Sequence, residues 1–309
     1  MTKGKKILFW GMAIVMTLSL ALAGCGGSSS PSNTGQSGEN GNEGANKSIG
    51  EQVNYEIIGI DPGAGLMAAT REAMEQYGLT NWKLTESSDA AMTAALKRAY
   101  DNQQPIIITG WTPHWKFSSF DLKYLEDPLN VYGDDEQIHT LVRKGLKEDH
   151  PSAYQILDNF YWEPSDMEEV MVLIEQGSPE EEAAATWIAN NIDKVNSWTD
   201  GVAEVNGDKL NLAYVSWASE IASTNVVATV LEMVGYRVTL QQLEPGGMFA
   251  GITSGGSDAL VAAWLPTTHE PYYERFKNDF EDLGPNLDGT RIGLVVPAYM
   301  DITSIEDLK

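Results

Sequence analysis

Tyr55-Glu56-Ile57-Ile58-Gly59-Ile60-Asp61-Pro62-Gly63-Ala64-Gly65-Leu66 is an apolar run, a turn rich in proline and glycine, and the opening of a helical stretch that reaches Tyr77 and stops at Gly78. A short apolar run bounded by such a turn and followed by helical spacing is the strand–turn–helix unit of an α/β protein. The unit recurs. Trp82 to Thr85 reads as a second strand, Ser87-Ser88-Asp89 caps a helix through about Tyr100, and Pro105 leads into the strand Ile106-Ile107-Ile108-Thr109, which runs out into Gly110-Trp111-Thr112-Pro113.

Working outward, the composition turns helical from about Glu148 to Val202, with Asp166 to Gln176 and Pro179 to Ile192 carrying acidic first turns and apolar positions at helical spacing. The α/β pattern then restarts: the strand Leu210 to Val215, the turn Ser216-Trp217-Ala218-Ser219, a helix from Glu220 to Val234, the strand Arg237 to Leu243, a short helix from Gly246 to Thr253, and the strand Ala259 to Ala263 ending in Trp264-Leu265-Pro266. Two α/β segments flanking a helical stretch imply two lobes with a cleft between them. The first lobe is expected over residues 51–138, with the C-terminal 300–309 returning to it. The second is expected over 139–299, including the helical stretch 148–202.

Ahead of the lobes, Lys3, Lys5 and Lys6 precede an uncharged run from Ile7 to Ala23 that closes in Leu22-Ala23-Gly24-Cys25. Basic, then apolar, then small residues is the layout of a secretory signal over 1–24, and its closing directly on the chain's one cysteine points to lipidation of Cys25 and an extracytoplasmic, membrane-anchored protein. Residues 25–50 are rich in Gly, Ser, Asn and Glu and read as a flexible tether. The formal charge is −24, and −27 without the three lysines of the leader. Nucleic acid and anionic lipid surfaces are poor partners for such a chain.

In open α/β sheets ligands bind beyond the carboxyl ends of the strands. Here Trp111, Trp217 and Trp264 stand just after three such ends, two of them in a Trp-x-Pro pattern followed by His114 and His269. Three indoles converging from two lobes make an aromatic box. A quaternary ammonium has no N–H to donate, so its favourable partners are π-faces, at about 0.5 to 2 kcal/mol per desolvated ring. The backbone N–H groups where Pro62-Gly63-Ala64-Gly65 opens a helix at Leu66 suit a carboxylate, and His269 can add a donor from the other lobe. The pattern as a whole asks for a zwitterion.

The same turn also matches G-x-G-x-x-A, with Glu86 about 20 residues on, as a dinucleotide site requires. Export and the longer Asp61-Pro62 turn speak against that reading. No G-x-S-x-G, H-E-x-x-H or P-loop is present, and no cofactor or metal is expected. Two other classes stay open: an exported enzyme acting on a methylated amine, with Asp61 or Glu220 as base, and a surface lipoprotein of signalling or adhesive role.

Ile58 to Gly65, Thr109-Gly110-Trp111-Thr112-Pro113-His114-Trp115, Tyr214-Val215-Ser216-Trp217 with Glu220 to Asn225, Ala263-Trp264-Leu265-Pro266-Thr267-Thr268-His269, and Gly293 to Pro297 resemble the glycine betaine-binding lipoproteins of osmoprotectant ABC importers, over essentially all of the chain from Ile57. The resemblance implies a monomeric, non-catalytic protein of the type II periplasmic-binding-protein fold, which delivers its ligand to an ABC permease. It places the ammonium among Trp111, Trp217 and Trp264, and the carboxylate on His269 and the amides of Gly65 and Leu66. Proline betaine, carnitine, choline and ectoine are the alternative ligands. The order of the segments, with the Gly-rich turn first and Ser304 to Lys309 last, resembles the circularly permuted arrangement known in part of that family.

Overall fold

The computed structural model describes residues 47–309; the leader, Cys25 and most of the tether lie outside the described residues. Nine strands form one sheet: β1 (Glu56–Ile58), β2 (Lys83–Thr85), β3 (Ile108–Thr112), β4 (Leu122–Tyr124), β5 (Glu136–Arg143), β6 (Lys209–Tyr214), β7 (Arg237–Gln242), β8 (Ala259–Leu265) and β9 (Phe280–Pro297). The spatial order is β2-β1-β3-β9-β5-β8-β6-β7, with β4 also on β9. The flanks are parallel, as the strand–turn–helix units require, whereas β3–β9, β9–β5 and β5–β8 are antiparallel.

The helices follow the sequence signals closely. Ser88 caps Asp89–Asp101 by accepting the Ala91 N–H at 3.2 Å, Pro stands in the first turn of Pro164–Glu175, and Ala218–Met233 is buried along most of its length because it packs between the sheet and the helical stretch. Among the described residues no helix is long and apolar enough to cross a membrane.

Three strands escape a local reading: β4, β5 and β9. They are the antiparallel centre of the sheet, and they change two expectations. Trp111 and Trp264 do not stand in loops. Trp111 lies inside β3 opposite Ile292, and Trp264 inside β8 opposite Ile138, because neighbours on β9 and β5 carry the ladders further than the apolar runs suggest. The second change concerns β9. Its first part pairs with β5 and its last part, from Arg291, with β3 and β4, so residues 291–297 join the strands of the first lobe rather than the second. The chain's end also lies against the first lobe: Trp82 Nε1 donates to Leu308 O at 3.1 Å, and Ile305 N–H to Glu126 O at 3.0 Å.

Candidate functional site

Trp111, Trp217 and Trp264 come together. With Ile60, Leu66, Thr268 and Ile292 they line one narrow space whose walls come from both lobes. All three indoles are almost wholly buried. Their ring nitrogens differ in partner. Trp217 Nε1 donates to Asp61 Oδ2 at 2.9 Å and Trp111 Nε1 to Ser219 Oγ at 3.3 Å, each bond crossing between lobes, while Trp264 Nε1 has no partner among the described residues. A wider depression lies on the same seam, but Trp115 is its only indole and cannot enclose an ammonium alone.

His269 is held by a tight local circuit. Its Nδ1 accepts the Trp264 N–H at 3.0 Å, its own N–H donates to Trp264 O at 2.9 Å, and its ring lies parallel to Trp217 at 5.6 Å between centroids. Accepting at Nδ1 puts the ring proton on Nε2. That Nε2 is buried without a partner among the described residues. Burial pushes the ring down to about 3, so it is a neutral N–H donor at ordinary pH.

The loop that carries His269 is organised by a residue the sequence reading passed over. Glu136, buried at the start of β5, accepts the N–H groups of Thr267 and Thr268 on Oε1 at 2.8 and 2.6 Å and the Thr268 hydroxyl on Oε2 at 2.7 Å. Glu136 shares its strand face with the buried Ile138, while Gln137 faces outward.

Gly65 and Leu66 open the helix Gly65–Gln76 beside the box. Thr268 O accepts the Gly65 N–H at 3.0 Å, so that donor, expected to face a ligand, is turned to the opposite lobe. The contact needs glycine, since a Cβ here would stand 2.2 Å from Thr268 O. Leu66 N–H lies in the first turn, where helical donors have no intrahelical acceptor.

Behind Trp111 is a buried polar cluster. His114 Nδ1 accepts the Lys116 N–H at 3.1 Å, leaving Nε2 to donate to Asp89 at 3.2 Å, and Asp89 also accepts the Ala218 N–H at 2.9 Å from the opposite lobe. Burial pushes His114 down to about 4 and Lys116 down to about 7. Burial alone would raise Asp89, but the His114 contact, the Lys116 charge and the Ala218 N–H outweigh it and hold the carboxyl below its usual range.

These buried groups dictate an acid profile. Because His114 and His269 stay neutral in the fold, the unfolded chain binds more protons below about pH 6.5, and stability falls as pH falls. Burial raises Glu136 and Glu220, which acts in the opposite sense: above about pH 4.5 the fold retains protons that the unfolded chain has lost. From about pH 6.5 to 4.5 the two pairs therefore act in opposite directions. Below about pH 4.5 only the histidines remain, and stability should drop by up to about 1.4 kcal/mol per pH unit for each, ending near pH 4 for His114 and near pH 3 for His269. Thermal melts that show no decline below about pH 4.5 would contradict the burial of the two histidines.

Two α/β lobes whose edges converge on one aromatic space are the architecture of a type II solute-binding protein. The chain belongs to the OpuAC family, described as the substrate binding domain of ABC-type glycine betaine transport system, matched over residues 41–190 and 208–309. It is 54% identical over 300 residues to the glycine betaine/carnitine transport binding protein GbuC of Listeria monocytogenes, covering 96% of each chain. Among solved structures it is similar to lactococcal OpuAC in its closed-liganded conformation complexed with glycine betaine, at 49% identity over 48% of this chain and 59% of that one, with a TM-score of 0.47. The glycine betaine/L-proline-binding protein ProX of Borrelia burgdorferi matches at 35% identity over 48% of this chain and 57% of that one, with a TM-score of 0.46.

Proposed function

We propose that this protein captures glycine betaine, or a betaine of the same head group such as carnitine, and delivers it to the permease of an ABC importer. The observation that carries the reading is the pairing of a three-indole enclosure with a buried, neutral His269 stacked on Trp217, one of its walls, whose Nε2–H has no partner among the described residues. The indoles take the methylated ammonium on their π-faces. His269 Nε2–H and Leu66 N–H take the carboxylate, joined by Gly65 N–H when it exchanges Thr268 O for the ligand. No bond is made or broken. The likeness to GbuC, whose name carries both betaine and carnitine, supports the same ligand class.

Closure is a hinge motion at the two places where the chain passes between lobes, near Glu136 and near Thr290–Arg291. The ligand, touched from both sides, favours the closed form, which is the form a permease recognises. The leader and Cys25 support an extracytoplasmic protein anchored by lipid through the segment 25–50.

The test is a titration of the soluble, signal-free protein with glycine betaine, following tryptophan fluorescence and heat, with choline and proline as controls. Saturable one-to-one binding of betaine with a spectral shift is expected. Choline, lacking the carboxylate, should bind at least about tenfold more weakly, the worth of a hydrogen bond from a buried donor to a charged group. Absence of binding by any quaternary ammonium would overturn the reading.

A further inference from the structure

The three indoles of the box are not electronically equivalent. Trp217 hands its Nε1–H to a carboxylate, Asp61 Oδ2, at 2.9 Å. The nitrogen lone pair belongs to the indole π-system, so drawing the N–H proton toward an anion raises the electron density of the ring. Trp111 is affected in the opposite direction. Lys116, wholly buried, holds its Nζ 4.0 Å from the centroid of that ring. Lys116 is not among the residues that line the space, and its Nζ also lies 3.5 Å from the Trp111 carbonyl oxygen. A cation on one face polarises the π-cloud toward itself and leaves less for a cation on the other. Trp264 Nε1 meets neither kind of group among the described residues.

Resting on the betaine reading, we propose that Asp61 and Lys116 set how strongly the box prefers a full positive charge over an uncharged group of the same shape. Asp61 strengthens the hold of Trp217 on a cation, and Lys116 weakens that of Trp111. Neither residue touches the ligand; both act through the ring in front of them. Asp89, the acidic neighbour of Lys116, is bonded to His114 and to the Ala218 N–H. It therefore influences lobe closure, which affects every ligand alike and drops out of a ratio between two ligands.

The experiment compares glycine betaine with 3,3-dimethylbutanoate, which keeps the carboxylate and the three methyl groups but has carbon in place of the charged nitrogen. Calorimetric affinities for both are measured at about pH 6, where Lys116 keeps its proton, on the signal-free protein and on Asp61→Asn and Lys116→Met. Asparagine still accepts the indole N–H through its amide oxygen, so the bond between lobes persists and only the charge is lost. Wild type should prefer betaine. In Asp61→Asn that preference should fall by about fivefold, mainly through betaine, and in Lys116→Met it should rise by about threefold. Equal losses for both ligands in Asp61→Asn, or an unchanged ratio in both variants, would overturn the proposal while leaving the betaine reading intact. A wild type that binds neither ligand would overturn both.

Discussion

Trp217→Ala is expected to lose about hundredfold in betaine affinity, whereas Trp264→Ala should lose nearer tenfold. The difference follows from what each indole does besides presenting a face. A desolvated cation–π contact is worth about 1 to 2 kcal/mol, which is the tenfold effect. Trp217 also donates Nε1–H to Asp61 across the lobe boundary and lies flat against His269. A hydrogen bond to a charged group adds about 1.5 to 3 kcal/mol. Since that bond forms only when the lobes meet, its loss weakens the closed state and hence every ligand that needs it. Trp264 Nε1 has no such partner among the described residues, so its removal costs the ring alone. Isothermal titration of the two variants checks the difference. Equal losses would mean that the Asp61 bond contributes nothing to closure.

The second large effect is on a residue outside the box. Glu136→Ala strands three donors: the N–H groups of Thr267 and Thr268 and the Thr268 hydroxyl. A buried donor left without an acceptor costs about 1 to 3 kcal/mol. Partial relaxation of the loop brings the expected loss of stability to about 3 kcal/mol, or about 8 °C in Tm for a domain of this size. Affinity should fall with it, because the same loop aims His269 and presents Thr268 O to Gly65. Glu136→Gln keeps an acceptor for the two N–H groups and should recover most of the melting temperature. If alanine and glutamine behave alike, the hydrogen bonds are not what holds the loop.

The residues differ in how far sequence alone reveals them. Trp111, Trp217 and Trp264 were legible because each follows or ends an apolar run in a strand–turn–helix unit, and such runs are local signals. His269 was legible through its spacing from Trp264. The central strands were not. β9 contains Gly284, Pro285, Asn286, Asp288 and Gly289, residues that read as loop, and it is extended only because β5, β3 and β4 pair with it along its length. Without β9 and β5 a reader stops the ladders too early and sets Trp111 and Trp264 in loops. Glu136 was missed for a related reason: an acidic residue at a strand start reads as solvated until the loop it organises, more than 100 residues later in the chain, is placed beside it. The direction of the Gly65 N–H depends on a carbonyl from the other lobe, which no local pattern contains.

β9 also bears on how the chain is made. A strand at residues 280–297 stands in the middle of the sheet and is shared by both halves, so neither half has its central neighbour until those residues have emerged. Everything synthesised before it carries open ladder edges on β3 and β5, at long sequence separation from the strand that seals them. Such a chain should remain loosely structured until β9 has emerged, and a truncation just before Phe280 should leave two unfinished pieces in place of one folded lobe.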